Sequence, residues 1–362
     1  MKVLFLVRDL GLGGVERCVA LVGEGLAQQG VTVSVAMLAG NRNLWTDRTG
    51  ALDIIDLSAH WHGRKPWTWL AGWRAVRRLA REHDVVIAAT FLAPLYMGYA
   101  ATLGLGRRFI GWVHGPLAEL DAFARMNPLH RAACRFVYRR VHELIFVSQH
   151  ARDSMARWLG QPAVPAWLVL PNFVDARQPQ AQALSVDDGV LKLLFVGRIA
   201  EEKQPQLWLD TLAALDAQPL PVQLTVVGDG PLQPWLQAEA SRLGMDGQLL
   251  LAGRSDQVGD YLAQADVLLL TSNFEGCPLV VLEAMAAGVP VASTDAGGVY
   301  ELFGERRADF VTTTASGVAL AALIATQMPP RRAALSAWLR ERALAYSATA
   351  TLARWLNLLE KP

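Results

Sequence analysis

The chain has 362 residues, 52% hydrophobic and 19% charged, with 34 Lys and Arg against 33 Asp and Glu. That length exceeds what one core usually supports and predicts two domains, and the composition excludes a disordered or fibrous chain. The near-neutral total hides an asymmetry: residues 1–175 carry 20 basic and 13 acidic side chains, a net +7, and residues 176–362 carry 14 and 20, a net −6.

From the N-terminus onward, short β-rich runs alternate with longer helical stretches. This is the α/β pattern of parallel sheets covered by helices on both faces. Val3–Val7 reads as a first buried strand, because it is too short for a signal-peptide core and meets Arg8-Asp9 at once. Thr32–Leu38, Val85–Ala88, Arg108–Val113 and Glu143–Val147 follow as strands, with helices over Glu16–Gln29 and Trp67–Glu82. A polar stretch from Asp175 to Gly189 predicts a linker, so a first domain spans 1–172, the linker 173–190 and a second domain 191–344. The second domain repeats the pattern with Leu191–Val196, Val222–Val227, Leu249–Ala252, Val267–Leu270 and Pro290–Ser293. In the tail, 345–362, the spacing of Leu352, Trp355, Leu356 and Leu359 predicts a helix. No apolar stretch reaches the length of a membrane span. Cys18, Cys134 and Cys277 lack metal-like spacing. They fit a reduced, cytoplasmic setting and neither a disulfide framework nor a zinc site.

The densest chemistry lies between Phe274 and Ala286. A strand-like run, Asp266 to Thr271, enters the tight turn Glu275-Gly276-Cys277-Pro278, and a helix-forming run begins at Leu279. Pro278 suits the first helical turn, where its missing N–H would be an orphan anyway. The free N–H groups and the helix dipole then suit an anion such as phosphate. Glu283 lies four residues beyond Leu279, so it shares that face and leans back toward the N-terminus. Carboxylates repel phosphate, so the natural targets of Glu275 and Glu283 are hydroxyls, and the pair predicts a ligand carrying both phosphate and sugar. The alternative is a turn residue and a solvated helix carboxylate. The apolar neighbours of Glu283 instead imply a buried group that needs a partner.

Earlier segments carry weaker signals. Gly11-Leu12-Gly13-Gly14 is not a dinucleotide fingerprint, because the third glycine position holds Glu16 and no acidic residue follows the second strand at Leu38-Ala39-Gly40. It reads as a tight turn with exposed backbone N–H groups, or as a plain strand-to-helix connection. Arg198 and Lys203 follow a strand ending at Gly197 and could bind phosphate oxygens, or be solvated. No Asp-x-Asp run ends a strand to hold a divalent metal. His114, after Phe109–Val113 and before Gly115-Pro116, is a site group or a core or cap histidine.

Taken in order, these segments resemble the family 4 retaining glycosyltransferases of the GT-B fold. The resemblance rests on Gly11–Arg17, Trp112–Gly115, Pro171–Asp175, Phe195–Lys203, Val227–Pro231, the Glu275 to Glu283 segment and Asp295–Glu301. It implies two Rossmann-like domains whose parallel sheets face across a cleft, with the tail packed back on the first. It also implies transfer of a hexosyl group, with retention, from a nucleoside-diphosphate sugar to a glycan or lipid-linked acceptor, with no cofactor and no required metal. His114, Arg198, Lys203 and Glu275 would be catalytic. Gly13, Gly14, Gly197, Gly228 and Arg254 would help hold the donor. So would Gly276, Cys277, Pro278 and Leu279 of the turn, together with Glu283. Glu16 and Asn172 would lie on the acceptor side. A sugar-nucleotide epimerase of the same fold is a rival, as is a non-catalytic nucleotide-sugar-binding protein.

Two helical segments of the first domain are strongly basic. In Trp67–Glu82, Leu70, Trp73, Val76 and Ala80 read as an apolar stripe, and Arg74, Arg77, Arg78 and Arg81 as a basic one. Arg131, Arg135 and Arg139 recur at four-residue spacing, beside Arg140. These faces are solvated or touch an anionic membrane surface. No motif supports nucleic acid.

Overall fold

Parallel strands build two separate sheets. The computed structural model describes residues 1–11, 13–40, 43–61, 66–90, 92–174, 189–216 and 221–360. The first sheet contains β1 (Lys2–Val7), β2 (Thr32–Met37), β3 (Asp53–Asp56), β4 (Val85–Ala88), β5 (Arg108–Val113), β6 (Glu143–Phe146) and β7 (Trp167–Val169), in the order β3-β2-β1-β4-β5-β6-β7. The second contains β8 (Leu191–Val196), β9 (Val222–Val227), β10 (Leu249–Gly253), β11 (Val267–Leu270), β12 (Val291–Thr294) and β13 (Val311–Thr312), in the order β10-β9-β8-β11-β12-β13. Runs such as Val3–Val7 and Val267–Leu270 are wholly buried, as expected where helices cover both faces. In each sheet the strand order reverses once, between β1 and β4 and between β8 and β11. Open α/β sheets bind ligands beyond the carboxyl ends of strands at such reversals.

Contacts divide the chain into one unit of Met1–Asn172 with the segment from Ala348 onward, and a second of Phe173–Ser347. Phe173 and Val174, read from sequence as linker, belong to the second unit, where Val174 N donates to Tyr346 O at 2.9 Å. The rest of the expected linker, 175–188, lies outside the described residues. The tail helix runs Ala348–Leu359, three residues later than the sequence pattern places it. It packs on the first unit through Trp355, which is 1% exposed and meets Trp112 edge-on with ring centroids 4.8 Å apart. Arg108 secures its end, donating to Leu359 O at 3.0 Å and Leu358 O at 3.1 Å while pairing with Glu143. Losing these charge-assisted bonds in Arg108→Ala should cost about 1.5–3 kcal/mol. Thermal unfolding should show a lower Tm for this variant, and an unchanged Tm would disprove the tether.

Helix Trp69–Glu82 departs from its expected stripe. Gly72, Val76, Leu79 and Ala80 are buried, whereas Leu70 is exposed at the helix start, before the core is reached. Arg77 does not belong to a free basic face, because it donates to the carbonyls of Ala101 and Leu103 and lies over Trp73. Arg131 is likewise bound to Asp121, Arg135 lies over Trp158, and Arg139 donates to Leu159 O. Among the described residues no helix is long and apolar enough to cross a membrane.

Candidate active site

Three loops at the carboxyl edge of the second sheet are stitched together around Glu275. β8 ends at Val196, as its apolar run predicts, and Gly197 turns the chain with φ +154°. Gly228, at φ +142°, lies so close that a Cβ on it would collide with Gly197 O. The loop after β9 thus rests directly on the loop after β8, a contact that requires glycine. The β8 loop continues into the short turn Glu201–Lys203.

Lys203 Nζ donates to Glu275 Oε1 at 2.6 Å, and Ser272 Oγ donates to the same oxygen at 2.7 Å. Beneath them Thr271 Oγ1 donates to Lys203 O and accepts from Trp208 Nε1, both at 2.6 Å. Asn273 N donates to Glu202 O at 2.8 Å. From the other side, Glu275 N donates to Ala296 O at 2.7 Å, and Glu275 O accepts from Gly298 N at 3.2 Å. These bonds fix backbone and carboxylate together. The pair is only partly accessible, with side-chain exposures of 21% for Lys203 and 15% for Glu275. An ammonium offers three donors, so Lys203 can hold Glu275 and still reach an anion, while the carboxylate keeps lone pairs for hydroxyls. The arrangement can bind a group that is anionic on one side and hydroxylated on the other.

Sequence reasoning treated Lys203 and Glu275 separately and missed Ser272 and Thr271. The available signal was their position in the first two places after the apolar strand β11. The partnership with Trp208, 63 residues away in sequence, left no local trace.

Beyond the turn, helix Leu279–Ala287 begins with Pro278 at its N-cap, at φ −69°, and not inside the first turn as expected. Its leading N–H groups have no helical carbonyls to meet, which preserves the anion-binding character. Gly276 and Cys277 are buried in the turn, and Glu283 is 5% exposed in the helix interior. Arg198 is exposed and forms no ion pair with the described residues. Arg254 pairs with Asp229 at 2.5 Å, in a surface-accessible contact. The three cations therefore differ in setting, and Lys203 is the one joined to Glu275.

In the first unit, Gly13 caps helix Gly14–Gln28 in extended backbone. Glu16 folds back over Gly13, so that a Cβ there would strike its carboxylate. Burial pushes the Glu16 carboxyl above its ordinary value, opposed by a hydrogen bond from its own backbone N–H. This is the geometry of a group closing its own helix start. Asp9, overlooked in the sequence, accepts from Gly11 N at 2.9 Å beside it. His114 follows β5, with its ring 4.2 Å from Trp112 between centroids. Burial pushes its pKa down to about 3, so the imidazole is neutral at pH 7. Its Nε2 is buried and makes no hydrogen bond among the described residues. The tail supports this position, since Trp355 backs Trp112 and Trp112 backs His114. Asn172 is 9% exposed. All three cysteines are buried and none is in a disulfide, and no group of three His, Cys, Asp or Glu is gathered as metal ligands among the described residues.

Residues 12–178 match the model of Glycosyltransferase Family 4, and residues 191–328 match that of the group 1 glycosyl transferases. The chain is 38% identical over 125 residues to the Vi polysaccharide biosynthesis protein VipC/TviE of Salmonella typhi, covering 34% of this chain and 22% of that one. It is 29% identical over 262 residues to glycogen synthase of Mycobacterium tuberculosis, covering 72% and 56%. The chain thus spans about a fifth to a half of the length of these relatives. Among solved structures, HepE of Anabaena in complex with UDP and glucose superposes over 100% of both chains, with a TM-score of 0.84 at 20% identity. Sucrose-phosphate synthase of Thermosynechococcus elongatus gives 0.81 at 18% identity, over 99% of this chain and 98% of that one. Both halves match glycosyltransferase models, and the two parallel sheets match GT-B structures throughout, so the chain belongs to the family 4 glycosyltransferases of the GT-B fold.

Proposed function

We propose that this protein is a retaining glycosyltransferase. It would move a hexosyl group from a nucleoside-diphosphate sugar to a hydroxyl of a glycan or lipid-linked acceptor, in cell-surface polysaccharide or glycolipid synthesis. The carrying observation is the Lys203–Ser272–Glu275 cluster at the strand-order reversal of the second sheet. Support comes from HepE, solved with UDP and with UDP-glucose, and from VipC/TviE, a polysaccharide biosynthesis protein. In this reading Glu275 holds hydroxyls of the transferred sugar, and Glu283 holds those of the ribose. The N-terminus of helix Leu279–Ala287 receives phosphate oxygens. Gly197 and Gly228 let backbone approach the donor, and Arg254 borders it.

Breaking the bond between the anomeric carbon and the phosphate oxygen leaves the electron pair on the diphosphate. Lys203, with Arg198 nearby in sequence, stabilises that charge as it develops. The acceptor hydroxyl attacks the same face and passes its proton to the departing phosphate. His114, neutral at pH 7, contacts the sugar or acceptor. Gly13, Gly14, Glu16 and Asn172 border the acceptor side. No divalent metal is required, since the two cations supply the neutralising charge, and the enzyme works in the cytoplasm.

A panel of nucleotide sugars tests the reading. At a concentration a hundredfold above its Kd, the true donor should raise Tm by roughly 5–10 °C. Turnover should need an acceptor and survive EDTA. Donor conversion without any acceptor would favour an epimerase. Loss of activity in EDTA, with recovery on adding a divalent ion, would overturn the metal-free mechanism.

A further inference from the structure

Three large apolar side chains stand in water within four residues of one another. Trp67 is 75% exposed, Trp69 47% and Leu70 53%, at the start of helix Trp69–Glu82. Isolated surface hydrophobes need no explanation, but two tryptophans and a leucine at one helix tip form a patch. Behind them, Arg74, Arg78 and Arg81 are also exposed, and steps of three and four residues place them on the same stripe as Leu70. At the rise of an α-helix they follow Leu70 by about 6, 12 and 16 Å. The opposite face of the helix is closed by Val76, Leu79 and Ala80 in the core. The exposed stripe is therefore apolar at its tip and cationic along its length.

We infer that this stripe docks the first unit on an anionic lipid bilayer, with Trp67, Trp69 and Leu70 seated at the headgroup level and the three arginines on lipid phosphates. Tryptophan favours that level because its ring is apolar and its N–H is polar. Arginine beside it supplies the electrostatic share of an interfacial helix. Arg77 takes no part, being committed to the carbonyls of Ala101 and Leu103. The net +7 of residues 1–175 adds attraction of the same sign. Position also fits the partner. The helix follows β3 and leads into β4, so its tip lies at the carboxyl edge of the first sheet. The Gly13 loop and His114 leave strands at that same edge. A membrane met there would present lipid-borne hydroxyls to the loops proposed to face the acceptor. Only that last step rests on the transferase reading; the docking does not.

Flotation with vesicles of phosphatidylcholine and phosphatidylglycerol tests the surface. Wild-type protein should float with mixed vesicles at low salt, much less at high salt, and not with pure phosphatidylcholine. The variant Trp67→Ser/Trp69→Ser/Leu70→Ser should lose binding on the order of tenfold or more, and Arg74→Gln/Arg78→Gln/Arg81→Gln should lose a similar factor together with the salt dependence. Both should keep wild-type Tm and nucleotide binding, because the altered side chains are exposed. Wild-type protein that ignores anionic vesicles, or variants that bind as well as wild type, would overturn the inference. A concentration-dependent dimer abolished by the tryptophan variant, without vesicle binding, would assign the patch to self-association and equally overturn it. Vesicle binding without donor turnover would fail the transferase reading alone, and turnover on a soluble acceptor without vesicle binding would fail the docking alone.

Discussion

Replacing Lys203 by Ala is expected to lower kcat by on the order of 100-fold or more, while the donor KM changes far less. Deleting one preorganised donor to a developing negative charge costs about 2–4 kcal/mol in the transition state. Here the loss is compounded, because Lys203 also neutralises Glu275 at 2.6 Å in a half-buried setting. Without the ammonium, Glu275 keeps only Ser272 as a side-chain donor among the described residues and presents an uncompensated carboxylate to the diphosphate proposed to depart. Lys203→Arg should recover part of the rate, since charge returns in a shape less suited to the cluster. Arg198→Ala should cost less than Lys203→Ala, because Arg198 is exposed and outside the cluster. Steady-state kinetics of the three variants, with the double variant Lys203→Ala/Glu275→Gln, decides the matter. Side chains in one hydrogen-bonded cluster should give markedly non-additive effects. A Lys203→Ala enzyme with wild-type kcat would remove Lys203 from the mechanism.

The strands most legible in the sequence were those buried on both faces. Val85–Ala88, Arg108–Val113, Leu191–Val196, Val222–Val227 and Val267–Leu270 have the bounds that their apolar runs predict. β3 and β13 were not legible, being four and two residues long with no run of apolar residues to announce them, whereas β7 was missed although it lies in the short apolar run Ala166–Leu170. Amphipathic spacing placed helix Trp69–Glu82 but could not show where its first turn overhangs the core. Leu70 was therefore assigned inward although it stands in solvent. Arginine spacing overstated the free basic surface, because hydrogen bonds from Arg77 and Arg139 to distant carbonyls leave no periodic signature. In the site, the residue types and order could be read from motifs. The bond between Lys203 and Glu275 depends on Trp208 anchoring Thr271 across the core, and only the folded packing reveals it.

The two glutamates should separate binding from turnover. Glu283 is 5% exposed in the second turn of helix Leu279–Ala287, behind the N-terminus proposed to take the phosphates, where ribose hydroxyls adjoin the diphosphate. Losing its charge-assisted hydrogen bonds, worth about 1.5–3 kcal/mol, should weaken binding of free nucleoside diphosphate roughly 10- to 100-fold in Glu283→Ala. Glu283→Gln keeps the shape of the buried side chain and should fold as wild type, so it separates a binding defect from a packing defect. Glu275 stands elsewhere, in the turn, paired with the cation proposed to meet the diphosphate. Removing its carboxylate in Glu275→Ala leaves Lys203 unopposed, so free nucleoside diphosphate should bind at least as tightly as in wild type. Turnover should nevertheless fall, because the transferred sugar has lost the acceptor for its hydroxyls. Calorimetric titration with the nucleoside diphosphate of the donor that the panel identifies, read beside single-turnover rates, distinguishes the two roles. Equal loss of nucleoside-diphosphate affinity in both variants, or unchanged affinity and rate in both, would show that the glutamates do not divide ribose from sugar.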